Sequence, residues 1–262
     1  VVLDDYQAIA APEVHRAVEF LLDHQPPQLH LVVLTRQEPP LPLARLRARG
    51  QVTQVGEQEL RFTGEEAAAF LRETMGLRLS DDTAAGLAQR TEGWATGLQL
   101  AALSWREKSE DSGAFIVGFR GDNRYVMDYL VAEVVQRQPE EVQSFLCATS
   151  ILDRLTAPLC DAVVGETGSQ AMLERLERGN LFLVPLDQRR EWYRYHRLFA
   201  EVLRSLLAPE DQALLHRRAM EWYAAQGSLE PAIQHGLAHA AVSGDYGPAA
   251  ALVGRAVEET LL

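Results

Sequence analysis

Two short apolar runs, each ending in charge, constrain this chain more than anything else in it. Val1-Val2-Leu3 stops at Asp4-Asp5, and Leu29 to Leu34 stops at Thr35-Arg36, with a helix-like segment between them. Strand, helix, strand with short connections is the parallel βαβ unit, and open α/β sheets bind ligands at the carboxyl ends of their strands. The spacing therefore predicts that the acidic pair and Arg36 meet on one edge. That is where a nucleoside triphosphatase keeps a Mg²⁺-holding acid and a phosphate-sensing base. The plainer reading of the same residues is two buried strands with polar ends.

After Pro12, which suits a first helical turn, Val14, Ala17, Val18, Leu21 and Leu22 recur at helical spacing until Pro26-Pro27 ends the run. Pro39, Pro40 and Pro42 force an extended connection. Leu43 to Arg49 reads as a short helix closed by Gly50, and Val52 to Val55 is expected as a third strand. Beyond Leu60 the periodicity is helical throughout. Thr63 with Glu66 is a capping box, Ser80-Asp81-Asp82 caps a second helix, and Gly93 breaks it before a run from Trp94 to Trp105. Ser109 to Asn123, rich in Gly, Ser and Asp, reads as a linker in which Phe115, Ile116 and Val117 are expected to dock.

A periodic helix from Tyr125 to Arg137 precedes three shorter ones, Pro139 to Ser150, Pro158 to Val164 and Ser169 to Arg178. Two strands follow, Leu181 to Val184 and Trp192 to Tyr195, around a polar turn from Asp187 to Glu191. Three helices and a hairpin are the winged-helix arrangement. Glu174 and Glu177 sit among Arg175 and Arg178 on its third helix, so this is no basic DNA-reading helix but an internal packing domain. Leu198 to Leu207 is again helical. Gln212 to Gln226, Leu229 to Ala241 and Gly247 to Leu262 then supply one and a half helix-pair units, with Ala219, Trp222, Tyr223, Ala224 and Gly227 at packing positions. A solenoid needs about three units, so the arm is expected to continue.

Composition enters as exclusion. A net charge of -12 argues against a large phosphate-neutralising surface, and Lys108 is the single lysine. Cys147 and Cys160 lack metal or disulfide spacing, and no apolar run reaches membrane length, so a reducing cytoplasm is the expected setting. The chain opens inside a strand without Met and is expected to be a piece of something longer. His235 and His239, four apart on a helix, have metal-binding spacing, but with no third ligand in sight they read as surface residues. Arg45, Arg47 and Arg49 read as a solvated helix face, Trp94 on its own as core, and His196 on its own as a satisfied half-buried histidine.

Five stretches occur in a telling order: Val1-Val2-Leu3-Asp4-Asp5-Tyr6; Leu31 to Arg36 with Pro39 to Gly50; Glu92-Gly93-Trp94-Ala95-Thr96-Gly97-Leu98-Gln99-Leu100; Asn180-Leu181-Phe182-Leu183; and Tyr195-His196-Arg197-Leu198-Phe199. Together they resemble the MalT-like, LuxR-family ATP-dependent transcriptional regulators, members of the STAND class of P-loop NTPases. The resemblance covers essentially the whole chain and implies a mainly α fold with a partial α/β portion. Its parts are the C-terminal piece of a P-loop NTPase sheet (1–57), a helical lid (58–122), a winged-helix domain (123–207) and the start of a TPR-like sensor arm (208–262). It implies ATP/ADP and Mg²⁺ as cofactors. Asp4 matches the acid that holds Mg²⁺ and Asp5 the acid that orients the attacking water. Arg36 matches the sensor of the γ-phosphate, and Trp94 lies where the lid approaches base and sugar. His196 matches the winged-helix histidine that reaches the β-phosphate in the closed state. The partners it implies are an adenine nucleotide, an inducer acting through the arm, further copies of the protein on activation, and DNA only through a domain outside this chain; no membrane is involved.

This sequence departs from the pattern in one large respect. It contains no G-x-x-x-x-G-K-[ST], and Lys108, though followed by Ser109, lacks the glycines that should precede it. The phosphate loop is expected upstream of Val1, with ATPase activity only in the intact protein. An alternative is a non-catalytic helical scaffold that retains the NTPase-related fold. A phospho-acceptor receiver is rejected, because neither Leu34-Thr35-Arg36 nor Val52 to Val55 supplies its further Asp and no strand carries its Lys.

Overall fold

A computed structural model describes residues 1–108, 115–116 and 118–260. The chain divides into two compact units: Val1–Leu60 with Arg175–Leu181, and Arg61–Glu174 with Phe182–Leu262.

The first unit is built on a parallel pair. Strand β1 (Val2–Leu3) lies beside β2 (Val32–Val33), with Val2 opposite Val32 and Leu3 opposite Val33. Ladder bonds extend past both ends, from Val32 N to Val1 O (2.9 Å), Leu34 N to Leu3 O (2.8 Å) and Tyr6 N to Leu34 O (3.0 Å). The connecting helix Pro12–His24 starts at its proline and stops before Pro26-Pro27, as the spacing predicts. The stretch expected as a third strand, Val52 to Val55, forms none. β-branched residues make a strand only beside a partner backbone. Here Gln51 N turns back to Leu46 O (3.0 Å), and Arg47 Nη2 donates to Gln54 Oε1 (2.6 Å). Strand β2 is likewise shorter than the apolar run Leu29 to Leu34 that contains it.

The second unit is helical and densely packed. Thr63 and Glu66 form the expected capping box on helix Gly64–Ala69, and Ser80 caps helix Asp81–Arg90. Helix Gly64–Ala69 widens into a π turn over Phe70–Thr74. A second π turn, Val131–Val135, follows helix Arg124–Leu130 where one straight helix was expected. Val131, Val134 and Val135 fill it, and β-branched residues crowd a tighter turn. Phe115 packs edge-on against Trp105 with ring centroids 4.9 Å apart, and Ile116 sits against Gly86. Both dock as expected; Val117 and residues 109–114 lie outside the described residues.

Helices Glu140–Thr149, Ala157–Val164 and Ser169–Arg178 precede strands β3 (Leu183–Pro185) and β4 (Tyr193–Tyr195), which pair antiparallel. Leu155 adds a bridge to Tyr193. Asp187 tightens the turn by accepting from the N–H groups of Arg189 and Trp192, both at 2.7 Å. Leu146, Leu155, Leu159, Tyr193 and Phe199 are fully buried in this domain, and Thr149 shares a buried 2.8 Å hydrogen bond with the Tyr195 hydroxyl. This is a winged-helix domain. Helix Arg197–Ser205 leads on to the packed helices Pro209–Ala225 and Leu229–Ser243, with Gly247–Thr260 against the latter. Arg218 of helix Pro209–Ala225 donates to the carbonyls of both Val163 and Val164 (2.9 Å each) and sits over Gly165 at the end of helix Ala157–Val164.

Candidate functional site

In the first unit the carboxyl ends of β1 and β2 carry the charged residues expected there. Asp5 adopts the left-handed conformation (φ 48°, ψ 41°), which opens the short 3₁₀ turn Tyr6–Ala8. A side chain other than Gly, Asn or Asp is strained at that position. Asp5 N donates to Asp4 Oδ1 (2.9 Å), which ties the Asp4 carboxylate to the main chain of its neighbour. Gln7 then joins the two strand ends: its Nε2 donates to Asp5 Oδ1 (2.9 Å), and its Oε1 accepts from Arg36 N (3.0 Å). Asn180, in the same unit, donates from Nδ2 to the Arg36 carbonyl (2.6 Å). The side chains of Asp4, Asp5 and Arg36 are exposed. Gln7 lies outside the five ordered stretches, and Asn180 opens one of them but has no role in the expected site. Arg45 and Arg47 are engaged elsewhere, with Glu19 and Asp23 and with Glu38, which agrees with a solvated, ion-paired face.

The second unit brings the other two expected residues together. Trp94 and His196 meet edge to face with centroids 5.9 Å apart, and Phe182 packs on both, 5.2 Å from Trp94 and 5.8 Å from His196. Phe182 holds φ 54°, a strained value for an aromatic residue. His196 is 2% exposed, and its Nε2 lies 3.0 Å from the Thr91 carbonyl, so that nitrogen carries the proton and donates. Thr91 is buried on the segment Thr91-Glu92-Gly93-Trp94, which Gly93 turns with φ 72° while packing against Phe62.

Glu92, absent from the expected site, is the electrostatic centre of this unit. Its carboxylate takes both Nη atoms of Arg194 (2.9 and 2.8 Å), the backbone N–H of Arg197 (3.1 Å) and Nη1 of Arg61 (3.4 Å). Burial alone raises a carboxyl pKa. Here the Arg194 hydrogen bonds, the positive field of His196 and the Arg197 N–H overcome it and hold Glu92 at about 2. Arg90 Nη2 donates to both oxygens of Glu201 (2.9 and 3.0 Å), and Gly121 N donates to Glu201 Oε2 (2.8 Å). Glu92, Arg194, Arg197 and Glu201 border a cleft of about 400 Å³. Both carboxylates are already enclosed by arginines, so the cleft is framed by a structural ion-pair network. The only sequence signal for Glu92 was its place beside Gly93-Trp94.

The expectation of surface histidines is corrected. His239 is 8% exposed and bonds through Nδ1 to Ala213 O (2.9 Å). His235 turns to a different partner, His216, with Nδ1 to Nδ1 at 2.8 Å, and stacks on Tyr223. Burial, reinforced by His235 and Arg204, pushes His216 down to about 4; burial also lowers His235. Both helix neighbours pack inward because helices Pro209–Ala225 and Leu229–Ser243 share a long contact. Among the described residues, no group of three His, Cys, Asp or Glu is arranged to hold a metal, and no helix is long and apolar enough to cross a membrane.

Comparison with known proteins agrees with this architecture. Residues 131–215 match the MalT winged helix domain family. At 39% identity, the chain aligns over 241 residues with the HTH-type transcriptional regulator MalT of Klebsiella pneumoniae strain 342, covering 90% of this chain and 27% of the relative. The MalT regulator of Serratia proteamaculans strain 568 is 38% identical over 246 residues, which are 92% of this chain and 27% of that protein. The chain thus resembles MalT regulators along nine-tenths of its length, as the ordered stretches lead one to expect, and spans about a quarter of theirs.

Proposed function

We propose that this chain is the nucleotide-switch core of an ATP-dependent transcriptional activator, in which the ATP or ADP state and an inducer control opening and oligomerisation. The observation that carries this reading is the parallel strand edge, where Asp4 and Asp5 end one strand, Arg36 follows the next, and Gln7 bridges them. On this reading Asp4 is the Mg²⁺ acid. Its exposed carboxylate fits the role, since Mg²⁺ keeps several waters and needs one or two carboxylates. Asp4 would hold the ion, which would supply positive charge to offset that of the phosphates. Asp5 orients the attacking water, and Arg36 supplies a fixed cation for the γ-phosphate.

His196 and Trp94 form the lid and winged-helix side of the switch. The His196 Nε2–H that meets the Thr91 carbonyl is a donor, so it can meet a phosphate oxygen with the same proton. Trp94 offers an aromatic face towards base and sugar. We divide the chain into an NTPase portion (1–57), lid (58–122), winged helix (123–207) and the start of a TPR-like arm (208–262) that receives the inducer, all in the cytoplasm. DNA is bound through another part of the protein.

The test is hydrolysis in the intact protein. Asp5→Asn should slow turnover about a hundred-fold while ATP binding persists; equal turnover refutes the assignment. This chain alone, which has no phosphate-loop motif, should show no micromolar ATP binding by calorimetry.

A further inference from the structure

We infer that Asn180 and Gln7 are positioning residues of the phosphate-sensing edge, which fix the Arg36 backbone against the acidic strand end. This rests on the nucleotide reading above. The Arg36 peptide is held by two side-chain amides instead of a strand ladder: Gln7 Oε1 accepts its N–H (3.0 Å), and Asn180 Nδ2 donates to its carbonyl (2.6 Å). Gln7 continues the path to Asp5 Oδ1 (2.9 Å). An unbroken run of hydrogen bonds therefore leads from the candidate catalytic acid, across the main chain of the candidate sensor, to Asn180. These groups are 29 and 144 residues apart along the chain. These two bonds hold the peptide groups on either side of the Arg36 Cα, and so set the direction of its Cα–Cβ bond.

The local structure at Asn180 indicates that its amide matters. Helix Ser169–Arg178 ends through Asn180 N to Glu177 O (2.9 Å) and Leu181 N to Leu176 O (3.0 Å), with Asn180 at φ 48°. Glycine is the least strained residue for such a left-handed stop, with asparagine next. The chain has a glycine one position earlier, at Gly179, and places the amide-bearing residue at the left-handed position. Glycine at 180 can end the helix equally well but cannot hold Arg36.

That difference supplies the experiment, because Asn180→Gly removes the amide while relaxing the backbone. In this chain, NMR hydrogen exchange at residues 35–38 should quicken about five-fold with an undiminished thermal midpoint. In the intact protein, the ratio of ATP to ADP affinity should fall by a similar factor, in the same direction as in Arg36→Ala. A merely structural cap leaves that ratio unmoved. Unchanged exchange in Asn180→Gly overturns the inference. So does faster exchange with an unchanged ratio when Arg36→Ala shifts it. If Arg36→Ala itself leaves the ratio unchanged, the nucleotide reading has failed, and the exchange result still decides whether Asn180 holds the loop. Gln7→Met is the second variant; loosening of the same amides supports the inference, and their unchanged protection counts against it.

Discussion

Across Val1–Leu60, Tyr6 and Leu46 are the apolar side chains withdrawn from solvent, while Val2, Phe20 and Val32 remain 61%, 64% and 47% exposed. In the other unit, the short helix Arg197–Ser205 alone buries Leu198, Phe199, Ala200, Val202 and Leu203. Strands of a parallel pair ordinarily have both faces covered; within this chain the first unit leaves Val2 and Val32 uncovered. It relies on directional contacts: the amides of Gln7 and Asn180, and arginines set on carboxylates. The second unit fixes Trp94 and His196 by enclosure. One region is held by hydrogen bonds that a single atom can remove, the other by volume.

This contrast fails if equivalent truncations have equal cost. Phe199→Ala should destabilise by about 3–5 kcal/mol in urea denaturation, through lost burial plus the cavity left behind. Phe20→Ala should stay within about 0.5 kcal/mol. Two glycines sharpen the comparison. A Cβ at Gly93 (φ 72°) falls 2.5 Å from the Phe62 carbonyl oxygen, whereas one at Gly50 (φ 65°) meets nothing within 4 Å. Gly93→Ala should therefore cost about 2–4 kcal/mol, combining backbone strain with overlap, and Gly50→Ala about 1 kcal/mol from strain alone.

A separate expectation concerns pH dependence, and it belongs to the enclosed unit. His216 titrates at about 4 when folded, against an ordinary 6.5, so the folded state binds fewer protons in that window. Its contribution is complete above 6.5 and is lost as pH falls towards 4. Glu92, held at about 2 against an ordinary 4.5, contributes fully above 4.5 and loses that contribution only below it. Thermal midpoints should therefore decline in two stages on acidification. His216→Gln should diminish the upper stage, leaving the part that His235 contributes; an unaltered upper stage in that variant assigns it to another group.

Local rules made much of this visible in advance. Pro12 and Pro26 bound a helix, Thr63 and Glu66 cap one, and the alternation around Asp187 to Glu191 gives the wing; each depends on residues close in sequence. The winged helix was legible because three apolar periodicities precede that hairpin. What escaped prediction depends on distant partners. Val52 to Val55 has strand composition but no neighbouring strand to pair with. Glu92 matters because residues about a hundred positions away bring guanidinium and N–H groups to it, and Gln7 because Arg36 lies beside it. His235 and His239 share a helix face on paper, but the packing of the adjacent helix gives them different partners. Spacing along one helix says nothing of what another helix delivers.

The guanidinium of Arg218 seals the last carbonyls of helix Ala157–Val164 from the following arm. A helix end of this kind carries partial negative charge and otherwise faces water. Turning helix Pro209–Ala225 by about 100°, one residue's worth, carries the cation away from both oxygens together. Because one guanidinium serves both oxygens, its withdrawal would leave two helix-terminal carbonyls without that partner at once.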